Sequence, residues 1–211
     1  MLEVLLAFAG ATFFLALSPG PDNIFVLTLS MTHGVRYGLA TIAGLMTGCF
    51  VHATYVAFGI TALMQQWPPI FRIILWFGAA YLLWLAYQVY KSPDTIEEAD
   101  VQQQKPKWWA MYRKGFLMNV LNPKVSLFFI AFFPGFLFAP DWPLWVQIYT
   151  LTGLFILVSG SVFGSIAFAG GVFATNLLTR PGMGKVMKWL QILVFVGIAL
   201  YLILVEPEMN P

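Results

Sequence analysis

Across 211 residues, one acid and one base fall away from the ends of the long apolar runs: Asp22, in "LSPGPDNIF" (residues 17–25), and Lys124, in "LNPKVSLFF" (residues 121–129). An unpaired charge near the middle of a bilayer costs at least ~2.5–3.5 kcal/mol on insertion scales, so each group is expected to face a protein-lined cavity and to find a partner there. Asp22 and Lys124 are the obvious partners for each other. Together they offer one anionic and one cationic point, which suits the ammonium and carboxylate of an amino acid. Protonation of Asp22 would release one contact, which makes it the candidate for coupling cargo movement to proton entry. The remaining reactive types promise less. Cys49 is alone, so it cannot form an internal disulfide and reads as a small packing residue. His33 sits at the end of the first run and reads as a surface residue, whereas His52, in the second run, either relays protons or bonds to a neighbour. "TLTG" and "SGS" in the fifth run either lend hydroxyls to a cavity or pack. No cofactor or metal is implied.

The elements that must hold these residues follow from composition. With 60% hydrophobic, 17% aromatic and 9% charged residues, the chain has too little polar surface to cover a soluble globule, and it reads as an integral membrane protein. The net charge of +2 says little about partners, because the position of the charges along the chain matters more than their sum, and nucleic-acid binding is disfavoured. The first run carries Glu3 rather than a basic cluster and is expected to remain in the mature protein. Charge-poor segments fall at 4–32, 38–62, 70–90, 115–138, 143–177 and 187–205, which predicts six transmembrane helices in an all-α membrane protein. The fifth run, uncharged from Trp142 to Thr179, is long enough for a hairpin, but a bend or extension near Gly170-Gly171 keeps the basic residues on one side. Six spans place nine Lys and Arg residues on one face and only Arg72 on the other, so the basic loops are expected in the cytoplasm and both termini outside.

Segment 4–32 would be ~44 Å long as a continuous helix, and its centre is residue 18. Pro19 and Pro21 lack N–H donors and would free carbonyls around residues 15–17, while Gly20 lets the chain turn. Irregular backbone at that depth is tolerated only around a protein-enclosed or watered cavity. A second half-helix starting at Asp22-Asn23 would point its amides into that cavity, where a carboxylate can be held. "NPK" puts Asn122, Pro123 and Lys124 at the matching place in the fourth run. Aligning the motifs at an offset of 104 pairs Leu17 with Leu121, Ser18 with Asn122, Pro19 with Pro123 and Phe25 with Phe129. Three helices separate the motifs, so the halves enter the membrane from opposite sides, with helices 1 and 4 broken, as two inverted three-helix repeats. The division expected is 1–90 for the first repeat, 91–114 for a charged cytoplasmic linker, and 115–211 for the second repeat. Gly44/Gly48 and Gly160/Gly164 have the spacing of close helix contacts, within the chain or across a homodimer.

At "LSPGPDN", "GLATIAGLMTG", "GAAYLLWLA" and "GFLMNVLNPK" the chain resembles the lysine exporter family, and within it the homoserine/threonine exporter branch. The resemblance implies an efflux carrier for amino acids or their derivatives in the bacterial inner membrane, driven by the proton gradient, with membrane lipids around it. By position it makes Ser18, Pro19, Gly20, Pro21, Asp22 and Asn23, with Asn119, Asn122, Pro123 and Lys124, the central substrate site. Ala86 departs from the family, which often has glycine after "YLLWL". The rival readings are an amino-acid channel, a non-transporting scaffold in which Asp22 and Lys124 are a structural pair, and an intramembrane protease. The protease lacks a second membrane aspartate, and no histidine follows His52.

Overall fold

Prolines and glycines punctuate the apolar runs, and the helices start and stop where they stand. The computed structural model describes residues 1–17, 20–60, 67, 69–92, 106–139, 141–172 and 183–204. Ser18, Pro19 and most of the expected linker lie outside them. Among the described residues all regular structure is helical, with no strand. The α-helices are α1 (Leu2–Leu17), α2 (Pro21–His33), α3 (Val35–Thr54, continued by a π-helical turn, Tyr55–Ile60), α4 (Pro69–Lys91), α5 (Trp108–Val120), α6 (Pro123–Phe132, continued by a 3-10 turn, Phe133–Phe136), α7 (Leu144–Val172) and α8 (Met183–Leu204).

Val35–Gly59, Arg72–Lys91 and Leu144–Gly170 are long and apolar enough to cross a membrane. Two helix pairs reach that length jointly: α1 with α2, which meet at 61°, and α5 with the stretch Pro123–Phe136, which meet at 53°. Both expected interruptions are therefore present. The fifth run is unbroken through Val172, so a hairpin within it is excluded over that length. The fourth run starts earlier than expected, at Trp108 rather than residue 115, because its first turns are amphipathic. Trp108 and Trp109 are exposed, and Tyr112 stacks on Trp109 at 4.8 Å between centroids. Gly34 joins α2 to α3 with φ of 99°, a backbone state that glycine alone adopts cheaply, and its N–H closes on the Ser30 carbonyl at 3.0 Å.

The longest helix seam is α3 on α5, and its closeness is written in small residues. A side chain at Gly44 would meet the backbone of Tyr112 and Phe116, one at Gly115 the Thr41 carbonyl, and one at Gly48 the Asn119 amide. The Gly44/Gly48 pair therefore serves an internal seam. By contrast, Gly164 has open space where a Cβ would go. α4 lies along α8, while α7 touches α1, α2 and α3. Lys188 Nζ donates to the Ser92 carbonyl at 2.7 Å, tying α8 to the end of α4. A phenylalanine cluster fills the centre below α6: Phe129 stacks on Phe133 (4.1 Å), Phe128 on Phe132 (4.5 Å), and Phe8 from α1 meets Phe133 edge-on (5.1 Å). Such pairs add about 0.5–1.5 kcal/mol each beyond burial and hold α6 rigidly behind the break.

Candidate functional site

A proline at the first position of a helix is pre-shaped for it and forces the preceding residue into extended backbone. Both interruptions use this device. Pro21 opens α2 after an extended Gly20 (φ −145°, ψ 174°), and Pro123 opens α6 after an extended Asn122 (φ −80°, ψ 108°). By helix start the correspondence is therefore Pro21 with Pro123, an offset of 102, and not the 104 that residue identities favour. In this frame Asp22 and Lys124 occupy the same place, the second residue of each half-helix.

The two second residues differ in what their helices offer them. Asp22 sits where the positive end of a helix dipole favours an anion, whereas Lys124 sits where the dipole opposes a cation. The acid at the start of the other half-helix, Asp22, half-buried in the same cavity, offsets this. Asn122 supplies the bridge: its Nδ2 donates to Asp22 Oδ2 at 3.1 Å, and its Oδ1 accepts from the Lys124 backbone N–H at 3.0 Å, capping α6. Asp22 and Lys124 attract each other across the cavity, and no direct contact between them is among the described hydrogen bonds. The carboxylate accepts from the side-chain amide of Asn122, and the Lys124 ammonium lies 4.8 Å from the centroid of the Phe195 ring. A cation over that ring recovers part of its lost hydration.

Around these groups lies a small cavity lined by the two breaks (Gly20, Pro21, Asp22, Asn23; Asn119, Asn122, Lys124) and by apolar residues of α1, α3, α6 and α7. Its free volume for the centres of water-sized molecules is about 60 Å³, room for roughly four waters. Asn23 reaches back and donates from Nδ2 to the Ala16 carbonyl at 2.7 Å, answering one of the acceptors freed where α1 ends. Gly20 is near enough that a Cβ there would stand 3.9 Å from Lys124 Nζ. Asn119, 4% exposed, donates from Nδ2 to Cys49 Sγ at 3.6 Å, and its backbone carbonyl is 3.1 Å from His52 Nε2. His52 is therefore bonded to a neighbour, and it stands behind the cavity wall rather than in it.

Of the expected site residues, Gly20, Pro21, Asp22, Asn23, Asn119, Asn122 and Lys124 meet at this cavity; Pro123 opens α6 beside it, and Ser18 and Pro19 fall outside the described residues. Sequence reasoning left Ser159 of α7 undecided, yet it lines the cavity, between Phe155 and Phe163 on one helix face. The spacing of four between them is the signal that could have placed these three side chains on one helix face. Among the described residues no three of His, Cys, Asp and Glu gather to hold a metal ion.

An all-helical, multi-pass membrane protein with two interrupted helices meeting at a polar cavity has the architecture of a membrane carrier. The chain matches the model of the LysE type translocator over residues 13–206 and belongs to that family, so it is a transporter and not an enzyme. Relatives include homoserine/homoserine lactone efflux proteins of Salmonella typhimurium and Salmonella typhi, each 35% identical over 144 residues, covering 68% of this chain and 68% of theirs. An uncharacterized membrane protein of Vibrio cholerae is 30% identical over 184 residues, covering 85% of this chain and 89% of its own. No solved structure matches the chain.

Proposed function

We propose that the protein exports small amino acids or their derivatives from the bacterial cytoplasm by proton antiport, with alternating access at the cavity between the two breaks. The observation that carries this is the bond from Asn122 to Asp22, which joins the two half-helix starts across 100 residues of chain and puts an acid and a base in one cavity. The ammonium of an amino acid would be held by Asp22, and its carboxylate by Lys124, Asn122 and the helix-start amides. A proton on Asp22 would remove the attraction for the ammonium and so exchange proton for cargo. The named activity of the Salmonella relatives supports homoserine or its lactone as the first cargo to test.

In this proposal Lys188–Leu204, a shorter apolar helix among the described residues, completes a sixth span. The chain folds as two inverted three-helix halves, 1–90 and 115–211, joined by a cytoplasmic linker, with both termini outside the inner membrane. The helix seams support it, because exchanging the halves turns α3 on α5 into α7 on α1 and maps α4 on α8 onto itself. In proteoliposomes loaded with L-homoserine, the protein should drive uptake of labelled homoserine by exchange, and a pH gradient should drive net flux. Asp22→Asn should insert normally and lose the gradient-driven flux. Retention of pH-driven flux in that variant would remove Asp22 from the coupling role.

A further inference from the structure

Hydroxyls on apolar helices have a local outlet, the carbonyl four residues back, and α7 uses it almost throughout. Thr150 donates to Val146 (2.8 Å), Thr152 to Ile148 (2.7 Å), Ser161 to Leu157 (2.7 Å) and Ser165 to Ser161 (2.8 Å). Ser159 does not. Its side chain is 1% exposed, and its Oγ has no hydrogen-bond partner among the described residues. It stands on the cavity-facing stripe of α7, flanked one turn away on each side by Phe155 and Phe163. Among the described lining residues it supplies the one hydroxyl, and it comes from a helix that belongs to neither break. A buried hydroxyl that forgoes the carbonyl beside it is costly unless something in the cavity completes it.

We infer that Ser159 is a specificity-determining contact, which hydrogen-bonds a polar oxygen on the side chain of the cargo while the two breaks hold its ammonium and carboxylate. This rests on the transport reading above. With Phe155 and Phe163 walling the hydroxyl, the side chain recognised is short and ends in one hydroxyl or carbonyl oxygen, because a longer or charged one would leave polar atoms against phenyl rings. The partner in the empty cycle is a water, for which the cavity has room.

The test compares L-homoserine with 2-aminobutyrate, the same amino acid without its hydroxyl, as competitors of labelled homoserine counterflow in proteoliposomes. The wild type should favour homoserine, and Ser159→Ala should reduce that preference about five- to tenfold, the worth of one neutral hydrogen bond. Ser159→Cys, similar in size with a weaker donor, should fall between them and serves if the alanine variant inserts poorly. Equal preference in the wild type and both variants, or a wild type indifferent to the hydroxyl, overturns the role of Ser159 and leaves the transport reading standing. Absence of counterflow for either amino acid in the wild type overturns both.

Discussion

Asn122 performs two tasks that a well-chosen pair of substitutions separates. Its Oδ1 caps α6 and its Nδ2 reaches Asp22 in the other half. Losing a cap costs about 1 kcal/mol. A hydrogen bond to a charged group is worth about 1.5–3 kcal/mol in soluble proteins, but polar contacts between membrane helices average about 0.6 and reach about 1.7 kcal/mol, so the bridge is set at about 1 kcal/mol. Asn122→Ala should therefore destabilise the protein by about 2 kcal/mol, and Asn122→Ser, which keeps the cap but cannot span to Asp22, by about half as much. The assay is reversible unfolding in mixed micelles, followed by the fluorescence of the protein's 8 tryptophans. Combining Asn122→Ala with Asp22→Ala should show a coupling of about 1 kcal/mol, well above the ~0.3–0.5 kcal/mol scatter of independent sites. A nearly neutral Asn122→Ser beside a destabilising Asn122→Ala, with an additive double variant, would mean that Asn122 is only a cap and that the two half-helices are not bonded through it.

Other outcomes follow from the same geometry. Gly115→Ala, which drives a methyl into the Thr41 carbonyl, should cost about 1–3 kcal/mol in the same unfolding assay, while Gly153→Ala, with open space at its Cβ, should be neutral or slightly stabilising. Gln147 accepts from the Phe138 and Ala139 amides (2.8 and 3.0 Å) and donates to the Ala139 and Trp142 carbonyls (2.7 and 3.0 Å). Gln147→Leu strands those groups and should cost about 2–4 kcal/mol, with faster protease cleavage between 137 and 143 as the readout. Asp22→Asn together with Lys124→Met should leave stability nearly unchanged, since it removes both opposite charges together and leaves neither without its partner, but should abolish counterflow. A double variant that still transports would make the pair structural.

The interruptions were legible in the sequence because proline acts locally: a residue without an N–H is accepted in the first turn of a helix and kinks or breaks one further in. For the same reason Asp22 and Lys124 could be placed near each other from their isolation in apolar runs. The register of the two motifs was less legible. Identities such as Leu17 with Leu121 and Phe25 with Phe129 favour an offset of 104, but the half-helices are set by the proline at their first position, and that gives 102. Gly115 went unremarked because a lone glycine carries no spacing, and its purpose exists only once Thr41, distant in sequence, lies against it. Ser159 was seen as a polar residue, but the choice between the carbonyl behind it and the cavity before it is a matter of rotamer, which no pattern of residue types encodes.

The matching position of Asp22 and Lys124 has a consequence for what kind of molecule can work this way. Two identical half-proteins, assembled face to face, would have to present the same residue twice in one tiny hollow, two carboxylates or two ammoniums repelling each other away from water. Two copies that differ in sequence, as a single polypeptide allows, can put an acid at one helix start and a base at the other, so that one hollow carries both signs.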